Sequence, residues 1–270
     1  MLKRFAFALV VALGIGQVGY AGEKKQLLLI GQKRDNHPVT THEFMPGLRV
    51  LAATLQKCDD LEVRTVQAEE PWAEGPDLIR RADGIVIYVS EGAKWIAADP
   101  RRQGAIAQLA SRGGGLTALH WGIGAKDPQF VGPFTQLFGG CHGGPDRRYQ
   151  VLETQLSPAE PRHAIAQGLT PLTVHDEFYY RLKRPTGDSQ PQPVLTAKID
   201  GQDEMVALAW QRPDGGRSFG FTGLHFHENW KQEFYRRLVT QGVMWTMKLE
   251  IPAAGVNIDV PETIFALPNN

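Results

Sequence analysis

Short apolar runs alternate with amphipathic segments over the first half of the chain. Leu27–Ile30 and Gly84–Val89 are almost entirely apolar, which is typical of strands that are buried on both faces. The pattern also predicts strands at Leu61–Val66 and Leu116–Leu119, and helices that begin at Pro46 and Pro100 and that cover Phe130–Phe138. This alternation of strands and helices predicts an α/β fold with a parallel, doubly wound sheet.

From Tyr149 onward the pattern changes to consecutive strands. The predicted strands are Tyr149–Gln155, Leu172–Tyr180, Pro193–Ile199, Met205–Gln211 and Ser218–Gly223, and a helix over Glu233–Met247 follows them. We therefore expect extra antiparallel strands beside the parallel ones, within one domain of residues 22–250. Residues 251–270 contain three prolines and show no periodicity, and we expect this tail to wrap the domain.

The first 21 residues have the pattern of a secretory signal peptide. Lys3 and Arg4 precede the apolar run Phe5–Val18, and Gly19–Ala21 provides a cleavage motif of small residues. We therefore expect a periplasmic or secreted protein without membrane attachment after cleavage. An uncleaved membrane anchor is the alternative, which the shortness of the apolar run disfavours.

Composition and charge narrow the function classes. The chain has 29 Lys and Arg residues against 29 Asp and Glu residues, so it has no general electrostatic reason to bind nucleic acid or an anionic membrane. Two cysteines cannot build a disulfide framework or a four-cysteine zinc site. A disulfide bond between Cys58 and Cys141 is one alternative if the protein is exported to an oxidising compartment. The glycine-rich loop Gly139–Gly144 does not match phosphate-binding patterns, and we expect no nucleotide cofactor.

Most histidines follow predicted strands, at the sheet edge where open α/β proteins bind ligands. Five of the eight come directly after such strands, namely His37, His42, His120, His225 and His227. We therefore place the functional site at this edge. The substrate-binding candidates are His37, His42, Glu91, Trp121, His142, Asp176, Glu228 and Trp230.

His225 and His227 are separated by one residue. Alternate side chains of an extended segment point the same way, so both imidazoles could face one divalent metal ion, zinc or similar. His120 or Glu228 could then complete the ligand set. The alternative is that these histidines donate hydrogen bonds to the cleft wall or to a sugar hydroxyl.

His120 stands at a strand-to-loop corner of the kind that presents a nucleophile in hydrolases. The corner has no Ser or Cys, which disfavours nucleophilic acyl transfer and makes His120 a candidate acid/base or ligand. On the strand Leu172–Tyr180, Glu177 shares a face with His175 and could act with an imidazole, although a solvated edge strand is the alternative. The catalytic candidates are His120, Glu177, His225 and His227.

Taken in order, several motifs resemble the trehalose-utilisation (ThuA-like) family. They are Gly113–His120, Phe138–Gly140, His163–Ile165 with Gly168, Asp176–Tyr179, Ala209-Trp210, and Gly223–His225 with Trp230. The resemblance covers about Leu27 to Trp245. It implies a flavodoxin-like sheet similar to that of class I glutamine amidotransferases, without their nucleophilic cysteine. It also implies disaccharide use through 3-keto derivatives, with a sugar oxidoreductase as the pathway partner.

The resemblance and the cleft residues together point to elimination, hydrolysis or isomerisation of a 3-keto glycoside. A C–H bond beside a ketone is acidic, and its loss to a base gives an enediolate that a divalent metal could hold. Two other classes remain open, a non-catalytic sugar-binding protein and a metal-dependent hydrolase of unoxidised substrates. The density of titratable side chains in the cleft loops favours catalysis.

Overall fold

The computed structural model describes residues 23–268, so the predicted signal peptide lies outside the described residues. The strands are β1 (Lys25–Gly31), β2 (Leu61–Gln67), β3 (Gly84–Tyr88), β4 (Gly115–Leu119), β5 (Gly124–Ala125), β6 (His142–Gly143), β7 (Arg148–Pro158), β8 (Leu172–Tyr180), β9 (Gln192–Ile199), β10 (Gln202–Gln211) and β11 (Arg217–Phe221). The α-helices are α1 (Phe44–Leu55), α2 (Gly75–Arg81), α3 (Gly92–Ala97), α4 (Pro100–Ser111), α5 (Val131–Phe138) and α6 (Glu233–Thr246). None of the helices in this range has the length and hydrophobicity of a membrane span.

Within residues 23–268, nine strands form one sheet in the order β2-β1-β3-β4-β11-β10-β9-β7-β8. The first five strands of this order are parallel to one another. The other four extend the sheet in antiparallel fashion. The prediction of a doubly wound parallel sheet with extra antiparallel strands is thus confirmed.

Two hydrophobic layers cover the parallel strands, one on each face. In β1, Leu27 and Leu29 pack into the layer that contains α1 and α6, whereas Leu28 and Ile30 pack into the layer of α2 to α5. Both faces are therefore buried, which explains why the sequence shows a continuous apolar run instead of alternation. Each such side chain contributes about 1.5–3 kcal/mol through burial.

Some local features differ from the sequence patterns. Helices α2 and α3 have seven and six residues, which is too short to show a helical period. Helix α1 begins at Phe44, two residues before Pro46, because proline is tolerated in the first turn of a helix. Cys58 and Cys141 are both free thiols.

The chain beyond α6 packs against the domain. Val256, Ile258 and Phe265 are buried in the same layer as α1 and α6. Arg236 donates a hydrogen bond from Nε to the Ile258 carbonyl at 3.2 Å, and Gln241 accepts one from the Val256 N–H at 3.0 Å. These contacts tie the segment to α6.

Candidate functional site

Four side chains converge at the carboxyl edge of the parallel strands. His42 comes from the loop after β1, His120 follows β4 directly, His225 lies after β11, and Glu177 belongs to β8. One ligand atom from each lies within 4.8 Å of those of the other three. We call these four residues the histidine–glutamate cluster.

Backbone contacts hold the loops of the cluster together. The His42 N–H donates to the His225 carbonyl at 3.1 Å, and Thr41 forms an isolated antiparallel bridge with Phe226. His120 has a backbone φ of 47°, which L-residues rarely adopt and which turns the chain sharply at the end of β4. The loops after β1 and β11 therefore act as one unit over the β4 corner.

His120 is fully buried, and its tautomer follows from its hydrogen bonds. Its Nδ1 lies 2.9 Å from the Thr222 carbonyl oxygen. A carbonyl oxygen only accepts hydrogen bonds, so Nδ1 carries the proton. Nε2 of the neutral ring is then unprotonated and has a free lone pair. This Nε2 lies 3.1 Å from Nε2 of His42 and 3.2 Å from Nδ1 of His225.

His42 is held in the same way by a carboxylate. Its Nδ1 donates to Asp35 Oδ2 at 2.8 Å, and Asp35 also accepts from His37 Nδ1 at 2.7 Å and from the Ser90 hydroxyl at 3.1 Å. Burial alone would raise the pKa of Asp35, but the hydrogen bonds and attraction from His42 and His37 hold it well below its usual range. The ionised carboxylate leaves His42 Nε2 unprotonated and aimed at His120.

Burial keeps the cluster histidines neutral. It lowers the pKa of His225 to about 4 and that of His120 well below the usual value, and the neighbouring imidazoles add to both shifts. It also lowers the pKa of His42, against the opposing attraction of Asp35. Burial has the opposite effect on Glu177 and raises its pKa to about 7. Neutral imidazole is the form that binds metal ions.

The donor set and its spacing fit a divalent metal such as zinc. With metal–nitrogen distances of about 2.0–2.1 Å, the ligand atoms of a tetrahedral zinc site are about 3.3–3.4 Å apart. Here the nitrogens of His120 lie 3.1 and 3.2 Å from those of His42 and His225. Oε2 of Glu177 lies 3.6 Å from His120 Nε2 and 3.5 Å from His225 Nδ1. Asp35 and the Thr222 carbonyl orient two of these rings from behind, as outer partners do in metal sites.

The structure does not bring His227 into the cluster. The sequence predicted His227 beside His120 and His225, whereas the structure places His42 there. Leu224 has a φ of 77°, and His227 begins a 3₁₀ turn. Phe226, between the two histidines, keeps an extended backbone and bridges Thr41, but the chain enters the 3₁₀ turn at His227 and this imidazole does not join the cluster. His227 Nε2 lies 3.0 Å from the Phe265 carbonyl oxygen instead.

Two further substrate-binding candidates lie away from the cluster. Trp230 is fully buried and packs beside Tyr88 and Gly47 in the hydrophobic core. Glu228 is exposed on the 3₁₀ turn. The pattern after β11 misleads because the chain coils there, so that consecutive polar residues point in different directions.

Asp176, another such candidate, is fully buried below the loop that carries His225. Its carboxylate accepts hydrogen bonds from the Leu224 N–H at 2.7 Å, the His225 N–H at 3.1 Å and the Tyr235 hydroxyl at 2.9 Å. Burial outweighs these bonds and raises the pKa of Asp176 to about 6. Asp176 therefore positions the His225 backbone.

A cavity of about 290 Å³ opens beside the cluster. Its lining residues are His37, His42, Trp121, Lys126, His142, Arg147, Tyr149, Glu177 and Tyr179. His120 and His225 do not line the cavity themselves. Of the cluster, His42 and Glu177 are the members that a bound molecule would meet first.

Aromatic rings shape the cavity wall. The imidazole of His142 stacks on the ring of Tyr179 at a centroid distance of 4.0 Å, and the Tyr179 hydroxyl lies 3.1 Å from His120 Nε2. Burial lowers the pKa of His142 to about 3, so this ring is neutral. Glu91 is not a lining residue of the cavity. Its carboxylate accepts a hydrogen bond from the backbone N–H of Lys126 at 2.9 Å.

Some residues of the site escaped the sequence patterns. Asp35 was visible only as one polar residue among several after β1, and its role depends on contacts with His37 and His42. Lys126 and Arg147 lie in loops without a motif. No periodic signal marks such residues, because loop conformation alone brings them to the cavity.

Comparisons with known proteins decide the family. The sequence matches the family model for trehalose utilisation, ThuA, over residues 28–246. The chain belongs to the ThuA family. This membership confirms the expected family and connects the protein with carbohydrate metabolism.

One solved structure is similar to this chain at the level of the fold, and two others match with lower scores. A ThuA-like protein from Bacteroides uniformis is 13% identical to this ThuA-family chain. The match covers 85% of this chain and 94% of the Bacteroides chain, with a TM-score of 0.62. PurLQS from Thermotoga maritima is 13% identical, and the match covers 83% of this chain and 98% of the PurLQS chain, with a TM-score of 0.47. A glutamine amidotransferase from the same organism matches at 9% identity over 84% and 100%, with a TM-score of 0.47. A comparison with curated proteins finds no match.

Proposed function

We propose that this ThuA-family protein is an exported enzyme that converts 3-keto glycosides by acid/base chemistry with the help of a divalent metal ion. The observation that carries the proposal is the histidine–glutamate cluster at the floor of a cavity. The cavity volume of about 290 Å³ is at the lower end of the range for small-molecule sites. The N-terminal pattern supports export.

His42, His120 and His225 would hold the metal ion. Three neutral imidazoles with one further position left open are a common catalytic zinc arrangement. When bound, such an ion acts as a Lewis acid that stabilises negative charge on a substrate carbonyl oxygen. The Asp35 carboxylate and the Thr222 carbonyl fix the ring tautomers for this purpose.

Glu177 is the base of the proposed reaction. Its carboxylate lines the cavity next to the cluster. It takes the proton from the carbon between the ketone and the glycosidic carbon, and the electron pair of that C–H bond moves onto the carbonyl to give the enediolate.

Two outcomes follow from the enediolate. When its electron pair returns, the bond between the anomeric carbon and the glycosidic oxygen breaks and a carbon–carbon double bond forms. The proton held by Glu177 passes to the leaving oxygen, which departs as an alcohol, and water adds to the double bond to complete hydrolysis. Return of the proton to the other face gives isomerisation instead.

Tyr179 and His142 assist from the cavity wall. Burial raises the pKa of Tyr179 well above its usual value, so the hydroxyl keeps its proton and can donate it to a substrate oxygen. His142 is neutral and can bond a sugar hydroxyl through a ring nitrogen. The pathway partner would be an oxidoreductase that oxidises the sugar, and the proposal requires no stable complex with it.

The test is turnover of a 3-keto disaccharide and of its unoxidised parent by the mature protein, with and without a chelator. We expect conversion of the keto form alone, loss of activity with chelator, and recovery on addition of zinc. Equal conversion of the parent would indicate a metal-dependent hydrolase of ordinary glycosides. Binding of either sugar without conversion would indicate a sugar-binding protein.

A further inference from the structure

The outer wall of the cavity carries positive charge. Lys126 is exposed and Arg147 is half-buried, whereas His42 and His142 on the inner wall are buried. The two cationic side chains therefore lie toward the mouth of the cavity and the two histidines toward its floor. Glu177 is the carboxylate among the lining residues, and it belongs to the floor with the histidines.

Within the described range, the side chains of Lys126 and Arg147 at the mouth form no ion pair with a carboxylate, although the Glu91 carboxylate accepts the backbone N–H of Lys126 at 2.9 Å. Asp146, the neighbour of Arg147 in sequence, is paired with Lys183. Arg147 Nη1 donates to the Gly144 carbonyl at 3.2 Å, which orients the guanidinium and leaves its other N–H donors available.

A buried polar atom next to this wall also lacks a partner. His142 is 3% exposed and lines the cavity, and its Nδ1 has no hydrogen-bond partner among the described residues. Arg147 is close enough for its charge to act on this imidazole. A buried nitrogen without a partner costs free energy unless a ligand or water satisfies it.

We infer that the substrate carries a carboxylate on its outer sugar unit, which Arg147 and Lys126 recognise at the cavity mouth. The inference rests on the proposed function and adds a substrate class, the acidic 3-keto disaccharides. A single planar guanidinium matches a carboxylate through paired hydrogen bonds. A phosphate ester fits less well, because the glycine-rich loop beside this wall lacks the phosphate-binding pattern.

Three matched substrates test the inference. They are a neutral 3-keto disaccharide, its aldonic acid, in which the outer unit ends in a carboxylate, and the amide of that acid. We expect kcat/KM to be about 10- to 100-fold higher for the acid than for the amide, as for loss of a charged hydrogen bond. High salt should reduce this ratio, because exposed charges are screened.

Variants assign the effect to residues. Arg147→Gln and Lys126→Gln should each bring the acid-to-amide ratio toward one. Arg148→Gln is the matched control, because Arg148 is an exposed neighbour that does not line the cavity, and it should leave the ratio unchanged.

The outcomes separate this inference from the proposed function. Equal turnover of acid and amide by the wild-type protein would overturn the carboxylate assignment while the keto chemistry stands. If no 3-keto sugar is converted, equilibrium binding of the unoxidised acid and amide still decides the charge preference. Preference for a phosphate ester over the aldonic acid would also contradict the assignment.

Discussion

The Nε2 atoms of His42 and His120 face each other at 3.1 Å, and neither carries a proton in the neutral ring. Each ring donates its other N–H, to Asp35 in one case and to the Thr222 carbonyl in the other. Two facing lone pairs repel unless a proton or cation lies between them, and burial lowers the pKa of both rings. The arrangement therefore favours a metal ion.

His225 and His227 provide a matched pair for testing the metal site. Removal of a cluster ligand should abolish stoichiometric zinc binding in His225→Ala, whereas His227→Ala should keep it, because His227 contacts the Phe265 carbonyl instead. Metal content of the purified variants after zinc loading and dialysis measures this. Equal zinc content in the two variants would show that the cluster does not hold the metal.

Asp35→Asn tests the support behind His42. The amide keeps the shape of the side chain but loses the charge that fixes the His42 tautomer. We expect zinc affinity to fall about 10- to 100-fold, as is usual for outer partners of metal ligands. Competition with a fluorescent chelator measures the affinity, and Asp127→Asn, outside the cavity lining, is the control. Unchanged affinity would remove Asp35 from the site.

Asp176→Asn should destabilise the fold. The variant places an amide NH₂ group where the carboxylate accepts five hydrogen bonds. They come from the Tyr235 hydroxyl and from the backbone N–H groups of Glu177, Leu224, His225 and Phe226. We expect the free energy of unfolding to fall by about 2 kcal/mol or more. The exposed Asp203→Asn should change it by less than about 0.5 kcal/mol. Denaturant titration compares the two, and similar small losses would contradict the assigned role.

His142 should make stability depend on pH. Its pKa in the fold is about 3 because of burial, against 6.5 for the exposed side chain. Between these values the unfolded chain binds a proton that the folded chain does not. Stability therefore falls as the pH falls through this window, by up to about 1.4 kcal/mol per pH unit.

The variant His142→Gln removes this contribution. Between about pH 6 and pH 4.5, the free energy of unfolding should fall more steeply for the wild-type protein than for the variant, by roughly 1 kcal/mol per pH unit. Chemical denaturation of both proteins at several pH values provides the comparison. Parallel curves would mean that His142 titrates normally in the folded protein.

The fold was predictable because burial leaves a periodic trace in the sequence. Leu27–Ile30 alternates between two hydrophobic layers, so its run of apolar residues identified a central strand. The parallel, doubly wound character of the sheet followed from the βαβ rhythm. The short helix Gly92–Ala97 left no such trace, because its six residues are too few to show a helical period.

The site was predictable only in part. His120 and His225 follow strands that are neighbours in the sheet, and topology alone brings them to one edge. That His42 and not His227 joins the cluster could not be foreseen, because it depends on the left-handed turn at Leu224 and on the bridge between Thr41 and Phe226. Such contacts between distant loops have no local pattern.

The central step of the proposed function is removal of a proton by Glu177 from the carbon beside a ketone. Deuterium exchange at that carbon, followed by NMR in D₂O, tests it directly on a 3-keto disaccharide, with Glu177→Gln compared at matched zinc content. We predict exchange or elimination with the wild-type protein, slowed at least about 100-fold in the variant, and no reaction of the unoxidised parent. An undiminished rate in the variant, or equal reaction of the parent sugar, would contradict the proposal.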